Sequence, residues 1–427
     1  MPFIFINFVL ANHMDMDYKT ATLPCGLRVI FLPSLSPIVH CGYEINAGSR
    51  DETPTEEGLA HFCEHASFKG TQHRKPWQIC SGLGSVGGSL NAYTTKEDTV
   101  YYASVMSDYL GRAVDLLTDM VFHSTFPQQE LDKEMEVISD EIDSYYDSPA
   151  DLIYDEFENL VFEGHPLGHF ILGNTERVST FGTADARRFT ERLYRPDNAV
   201  FFAYGNIDFK DLLRMLSKAT ADFPDKSPYL PSNTPATHPT PQGRTRQVDS
   251  DTRRAYVMLG GRAYSALNPK RMPLHLLNNI LGGPCMNATL NIILRERRGL
   301  VYSVEGSVVN YADTGIWSIY FACNAEDIDR CKRLVKNELQ RFASKPITES
   351  KLRAAQRQLK GQLGIASDYR ENFAQDFGKS FLHYGQQRDL RQIYASIDAV
   401  TPEDIHQVAA ELFQPESLYQ LIYMPKD

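Results

Sequence analysis

The run His61-Phe-Cys-Glu64-His65 is the sharpest chemical feature of the chain. Residues four apart on a helix share a face, so His61 and His65 can present two imidazoles to one metal ion. Glu64 borders that face without having to ligate, and its carboxylate could take a proton from a water bound to the ion. A hydrolytic zinc carries three protein ligands and an open position, so a further His, Glu or Asp must arrive from elsewhere. The stretch 130–146 offers Glu134, Glu136, Asp140, Glu141 and Asp143. Glu134 and Glu141 lie two helical turns apart on one face, so that one could ligate while the other supports it. Spacing does not choose between them. With 12 histidines in the chain, a chance HxxEH has a probability of roughly 2%, which makes an idle surface helix the weaker reading. His73, His123, His165 and His169 are expected to be ordinary surface or hydrogen-bonded residues.

The elements that must hold these groups are legible as patterns. Residues 28–33, 39–47 and 99–106 are β-branched and aromatic runs that read as strands. Residues 58–69, 109–123 and 130–146 carry helical spacing of apolar positions. Strands mixed with long helices, without regular alternation, give the class α+β. Prolines crowd among small polar residues at 227–243, which reads as a linker between an N-terminal metal-binding domain (1–226) and a C-terminal domain (244–427). The second half should hold strands at 254–260 and 315–323 and helices at 274–281 and 327–342. Its pattern repeats the first. A helix end and strand at 191–204 recur at 411–423, and the helix pair at 113–140 recurs at 331–362. The offset of about 220 residues is a whole domain, so the chain reads as an internal duplication.

The composition sets limits. The chain has 427 residues, of which 42% are hydrophobic and 23% charged, as in soluble globular proteins with more than one core. A formal net charge of −11 argues against nucleic acid as the main partner. The seven cysteines form no CxxC pair and read as reduced core thiols. Residues 1–11 are apolar but carry no Lys or Arg, so a signal peptide is not expected, no membrane-spanning segment stands out, and a cytoplasmic location is.

Several separate blocks resemble one family, the inverted-zincin metallopeptidases that include pitrilysin, insulin-degrading enzyme and the mitochondrial processing peptidase. Gly58-Leu-Ala-His-Phe-Cys-Glu-His65 with Phe68-Lys-Gly-Thr71 is similar to the family's metal helix. Gly88-Ser-Leu-Asn-Ala-Tyr-Thr94 is similar to its substrate edge, which implies Ser89, Leu90, Asn91, Ala92 and Tyr93 as peptide-binding positions. Residues 134–149 are similar to the third-ligand helix, and the resemblance implies Glu141 as ligand and Glu134 as its support. Gly164-His-Pro-Leu-Gly168 with Ile171-Leu-Gly173 forms a further block. In the second half, 281–284 and Arg295-Glu-Arg-Arg-Gly-Leu-Val-Tyr302 are similar to a signature whose Arg and Tyr assist substrate and the tetrahedral intermediate. Ala66, Ser67 and Lys69 depart from positions often apolar in relatives, and Pro284-Cys285 interrupts a Gly/Ser-rich stretch.

The resemblance implies two homologous domains, each an antiparallel sheet flanked by helices, and one zinc per chain held by His61, His65 and Glu141. It implies an endopeptidase acting on extended peptides in a chamber, with Glu64 as base. A single unit of this kind is expected to form a homodimer or related heteromer, so that Arg295 and Tyr302 complete the partner's site. The competing expectations are a non-catalytic peptide-binding scaffold of the same fold and a zinc hydrolase of non-peptide substrates.

Overall fold

The computed structural model describes residues 17–229 and 243–426. Most of the expected linker, and the apolar stretch 1–11, lie outside them; residues 227–229 and 243 carry no regular structure.

The first half runs β1 (Lys19–Thr22), β2 (Arg28–Pro33), β3 (Ile38–Ile45), α1 (Leu59–Ala66), α2 (Pro76–Gly84), β4 (Ser89–Thr94) and β5 (Thr99–Met106). It continues through α3 (Leu110–Phe122), α4 (Gln128–Tyr146), α5 (Pro149–Val161), α6 (Thr175–Val178), α7 (Thr183–Leu193), β6 (Ala199–Gly205) and α8 (Phe209–Ala219). The second half runs β7 (Thr245–Ser250), β8 (Ala255–Ala263), α9 (Arg271–Gly282), a π-helical turn (Asn291–Glu296), β9 (Val301–Asn310) and β10 (Gly315–Cys323). It closes with α10 (Ile328–Ser344), α11 (Glu349–Ala366), α12 (Arg370–Tyr384), α13 (Leu390–Asp398), α14 (Pro402–Leu412) and β11 (Tyr419–Pro425).

The first sheet has the order β1-β2-β6-β3-β5-β4 and the second β7-β11-β8-β10-β9. Apart from β1 the two orders correspond strand for strand, as a duplication requires. The sheets are mixed rather than wholly antiparallel: β2 pairs β6 and β7 pairs β11 in parallel. Each parallel pair joins the first and last long strand of its half, and the intervening helices supply the long crossover that parallel pairing needs.

One face of each sheet meets its own helices. In the first half Val29, Phe31, Tyr43 and Phe201 pack with Leu59 and Phe62 of α1 and Leu117 and Met120 of α3. Each such large apolar side chain contributes about 1.5–3 kcal/mol. The opposite faces are covered by exchange. From the second half, α12 lays Phe373, Ala374 and Phe377 on Ile30, Val100, Val200 and Phe202 of the first sheet. In return α5 lays Ile153, Phe157 and Val161 on Met258, Tyr320 and Leu421 of the second. At the first crossing a Cβ on Gly378 would stand 2.5 Å from Glu44 Oε2 and 2.9 Å from Phe202, so the close approach of helix and sheet needs glycine.

The turn joining β4 and β5 carries three consecutive buried charges, of which Glu97 and Asp98 pin the halves together while Lys96 ties the turn to its own half. Lys96 donates to the His169 carbonyl, and Glu97 accepts from Arg50 and from the Ala312 backbone at 3.0 Å. Arg50 also meets Asp313 at 2.6 Å. Asp98 lies 2.8 Å from Lys379 and 2.9 Å from His383, both on α12. Burial opposes ionisation of Asp98, but Lys379 and His383 outweigh it and hold its carboxyl well below the usual range.

Two cysteine expectations need correction. Cys25, Cys41, Cys63, Cys323 and Cys331 are buried, whereas Cys80 is exposed and Cys285 half-buried. Cys80 follows Ile79 on α2, whose inward face is taken by Ile79 and Leu83, so its own side chain points outward.

Asp98→Asn should lower stability by about 2 kcal/mol, below the cost of breaking a fully buried pair, because Lys379 keeps 40% of its side chain in solvent. The Asp98 contribution is complete above the ordinary carboxyl value of 3.8 and is lost as pH falls through the depressed folded value. Urea titrations of both proteins should therefore show a gap at pH 7 that narrows in strong acid.

Candidate metal centre

The short helix α1 is aimed by its first turn. Gly58 has φ 94°, a left-handed conformation that favours glycine, and its N–H and that of Ala60 donate to Glu52 at 3.0 and 2.7 Å. His169 Nε2 lies 2.9 Å from the same carboxylate, the hydrogen-bonded role expected of it. A Cβ on Gly58 would stand 3.0 Å from Gly173 Cα, so the blocks around Gly58 and Gly173 are two sides of one backbone crossing. The helix is shorter than the expected 58–69, because after Ala66 the Ser67 hydroxyl turns back onto the Cys63 carbonyl at 2.8 Å.

Leu59, Phe62 and Cys63 enter the core, which leaves His61, Glu64 and His65 on the side where α4 and β4 pack. His61 Nε2 lies 3.7 Å from Glu141 Oε1, and His65 Nε2 lies 3.2 Å from Glu141 Oε2. The three ligand atoms lie within 4.8 Å of one another. Ligands 2.0–2.1 Å from a tetrahedral zinc stand about 3.3 Å apart, so the donors suit that ion in type and spacing. Glu134, two turns earlier on α4, meets His65 Nδ1 at 2.9 Å, and Lys69 pairs with its other oxygen. Glu134 therefore braces the imidazole while Glu141 faces both. Glu136, Asp140 and Asp143 stay on the exposed side of α4.

The electrostatics separate the two imidazoles. Burial, reinforced by His65, pushes His61 down to about 4, leaving its lone pair free. Burial also opposes a proton on His65, but its hydrogen bonds to Glu134 and Glu141 raise it to about 9. The carboxylates that favour a proton there equally favour a metal cation between them. Glu64 is buried, and burial lifts its carboxyl above the ordinary range, opposed by a 2.6 Å hydrogen bond from Thr94 Oγ1. That shift moves a carboxylate toward the range useful for proton transfer at neutral pH.

β4 is the edge strand of the first sheet, so the outer backbone groups of Ser89, Leu90, Asn91, Ala92 and Tyr93 have no strand partner. Arg295 lies in the π-helical turn before β9, and Tyr302 is 71% exposed on β9, the edge of the second sheet, with the Arg254 guanidinium 4.6 Å over its ring. Among the described residues, no hydrogen bond or ion pair joins Arg295 or Tyr302 to the His61 cluster. Thr94 and Lys69 are the participants that sequence reasoning missed. Alternation along β4 puts Thr94 on the same face as Leu90 and Ala92, which pack on the core beside α1; that was the available signal. Lys69, set aside as a departure, stands one turn beyond His65 and reaches the same Glu134.

A duplicated α+β unit with an HxxEH helix in one half only is the architecture of the inverted zincins. The description "Insulinase (Peptidase family M16)" matches residues 29–175, and "Peptidase M16 inactive domain" matches residues 180–359. A protein named as an uncharacterized zinc protease of Streptomyces coelicolor is 33% identical over 95% of this chain and 89% of its own length. Another so named, from Bacillus subtilis, is 31% identical over 95% of this chain and 98% of its own. The chain belongs to the insulinase family, peptidase family M16. The fold agrees: a protease from Helicobacter pylori superposes with a TM-score of 0.88, covering 96% of this chain and 100% of that one at 20% identity.

Glu141→Gln should abolish tight zinc binding, whereas Glu134→Gln should weaken it by about 10–100-fold, as loss of a carboxylate behind a ligating imidazole does. Competition against a chromophoric chelator separates the two.

Proposed function

We propose that the protein is a zinc-dependent endopeptidase acting on extended peptides, with one zinc per chain held by His61, His65 and Glu141. The observation that carries this reading is the buried Glu64 carboxylate, fixed by Thr94 of an edge strand beside a His/His/Glu cluster. A zinc ion there would polarise a water and the scissile carbonyl. Glu64 takes the proton of that water and hands it to the leaving amine. Glu134 holds the His65 ring, and against burial its bonds to His65 and Lys69 together keep its carboxyl below the usual range. An extended peptide adds to the free edge of β4 through main-chain hydrogen bonds. Because Thr94 belongs to that strand, the scissile bond is placed in register with the base.

Glu141 is 46% exposed in the single chain, and an open site of this kind needs cover to exclude water. We assign that cover to the C-terminal domain (244–427) of a second copy, joined to its own catalytic domain (1–226) through 227–243, with Arg295 and Tyr302 steadying the substrate oxyanion. Among the described residues no helix is long and apolar enough to cross a membrane. The seven free cysteines suit a reducing, cytoplasmic setting.

Glu64→Gln should keep its zinc while kcat on an unstructured peptide falls by about 10²–10⁴-fold; wild type that binds zinc without turning over peptide would point to a binding scaffold instead. Glu64→Gln and Tyr302→Phe proteins, mixed and allowed to exchange subunits, should recover up to about a quarter of wild-type activity, since half the dimers then hold one intact site of two. No recovery would mean that Tyr302 does not act across a dimer.

A further inference from the structure

A second cluster lies just beyond the first. After α1 the chain turns so that Thr71 bridges Ser124 and the Gln72 N–H donates to the His123 carbonyl at 2.9 Å. This fixes His73 beside the end of α3, where Asp119 and His123 stand one turn apart. His73 Nδ1 lies 2.7 Å and His123 Nδ1 4.0 Å from Asp119 Oδ1. One ligand atom from each of the three falls within a 4.8 Å group. The other Asp119 oxygen is engaged by Thr71 at 2.6 Å and Arg74 at 2.5 Å, leaving Oδ1 for the imidazoles.

The arrangement repeats the logic of the first centre. His123 Nε2 lies 2.9 Å from Asp222, as His65 Nδ1 does from Glu134. A proton on Nε2, donated to Asp222, leaves the Nδ1 lone pair directed at Asp119, the carboxylate–imidazole–metal order typical of a metal ligand. The cluster opens into a cleft of about 540 Å³ whose lining includes Asp115, Asp119 and Asp222 against Arg74 and Lys218, a balance short of positive charge. Burial opposes ionisation of Asp119, but hydrogen bonds from Thr71, His73 and Arg74 outweigh it and keep it charged.

We propose that His73, Asp119 and His123 form a second metal site, oriented by Asp222, for a borderline divalent ion of the zinc type. Two imidazoles with a carboxylate select that class over magnesium or calcium. The ion clips the segment leaving the catalytic helix to the end of α3. The sequence reading takes His73 and His123 as hydrogen-bonded residues rather than ligands; they stand outside the HxxEH cluster, and their pairing across Asp119 is a product of the fold.

The probe is zinc sulfate, with bound metal counted by mass spectrometry after gel filtration and folding checked by circular dichroism. Wild type should retain about two zinc ions per chain and His61→Ala/His65→Ala about one. Adding His73→Gln and His123→Gln to the latter should remove the remaining ion. Asp222→Asn, at an exposed position that does not threaten the fold, should weaken the second site by about 10–100-fold. A folded His61→Ala/His65→Ala protein that binds no zinc overturns the proposal, as does zinc retained unchanged without His73 and His123. Either result leaves the HxxEH centre untouched, since wild type would still carry its first ion.

Discussion

His65 is held between carboxylates on both ring nitrogens, Glu134 on Nδ1 and Glu141 on Nε2, and this one contact sets the register between α1 and α4. Both glutamates come from the same helix, two turns apart, so a slide of α4 along α1 breaks both bonds together. The packing of Leu131, Ile138 and Ile142 into the core resists that slide. The charge pattern follows: Lys69 answers Glu134, the raised His65 answers Glu141, and His61 is left neutral. On the proposed reading a zinc ion would take the place of the His65 proton between His61, His65 and Glu141, whose donor atoms already lie within 4.8 Å of one another.

Around this contact the duplication has diverged by role. Each half lends the other a helix, α5 in one direction and α12 in the other, so neither sheet buries both faces alone. The exchange makes each half depend on the other, and Glu97 and Asp98 on the turn after β4 lock the two together beside that edge strand. Glu44 marks the cost of the arrangement. It lies fully buried under α12 without a hydrogen-bond partner, and burial, with Asp98 nearby, pushes its carboxyl well above the usual range.

How far the sequence discloses this depends on whether a feature is local. The helical spacing around His61 and on α4, and the strand at 99–106, follow from periodicity alone, and the repeat at about 220 residues anticipates two matching sheets. Choosing Glu141 over Glu134 needed either the family pattern or the fold, since both stand on one face of α4. Parallel pairing of β2 with β6 is invisible locally because it joins strands at opposite ends of a half. The same holds for Glu44, which alternation along β3 cannot distinguish from a solvated residue until α12 arrives from the other half. Thr94 and Lys69 lay within motifs that were read, but their partners are set by tertiary approach.

The coupling between edge and base bears on what such a site can discriminate. Thr94 ties Glu64 to β4 through one 2.6 Å hydrogen bond, so a base at Glu64, as proposed, would move with the strand that a peptide extends. Main-chain pairing along that strand would place a peptide bond at Glu64 whatever its side chains are. Selectivity must then come from pockets on either side of β4 and from the surface facing it. The equivalent edge of the second sheet, β9, carries Val304 and Val308 toward its own core and leaves Tyr302 exposed. An edge that presents an aromatic hydroxyl and a guanidinium on a π-helical turn, a feature often found at functional sites, has the donors that the proposed dimer would bring to a second copy's peptide.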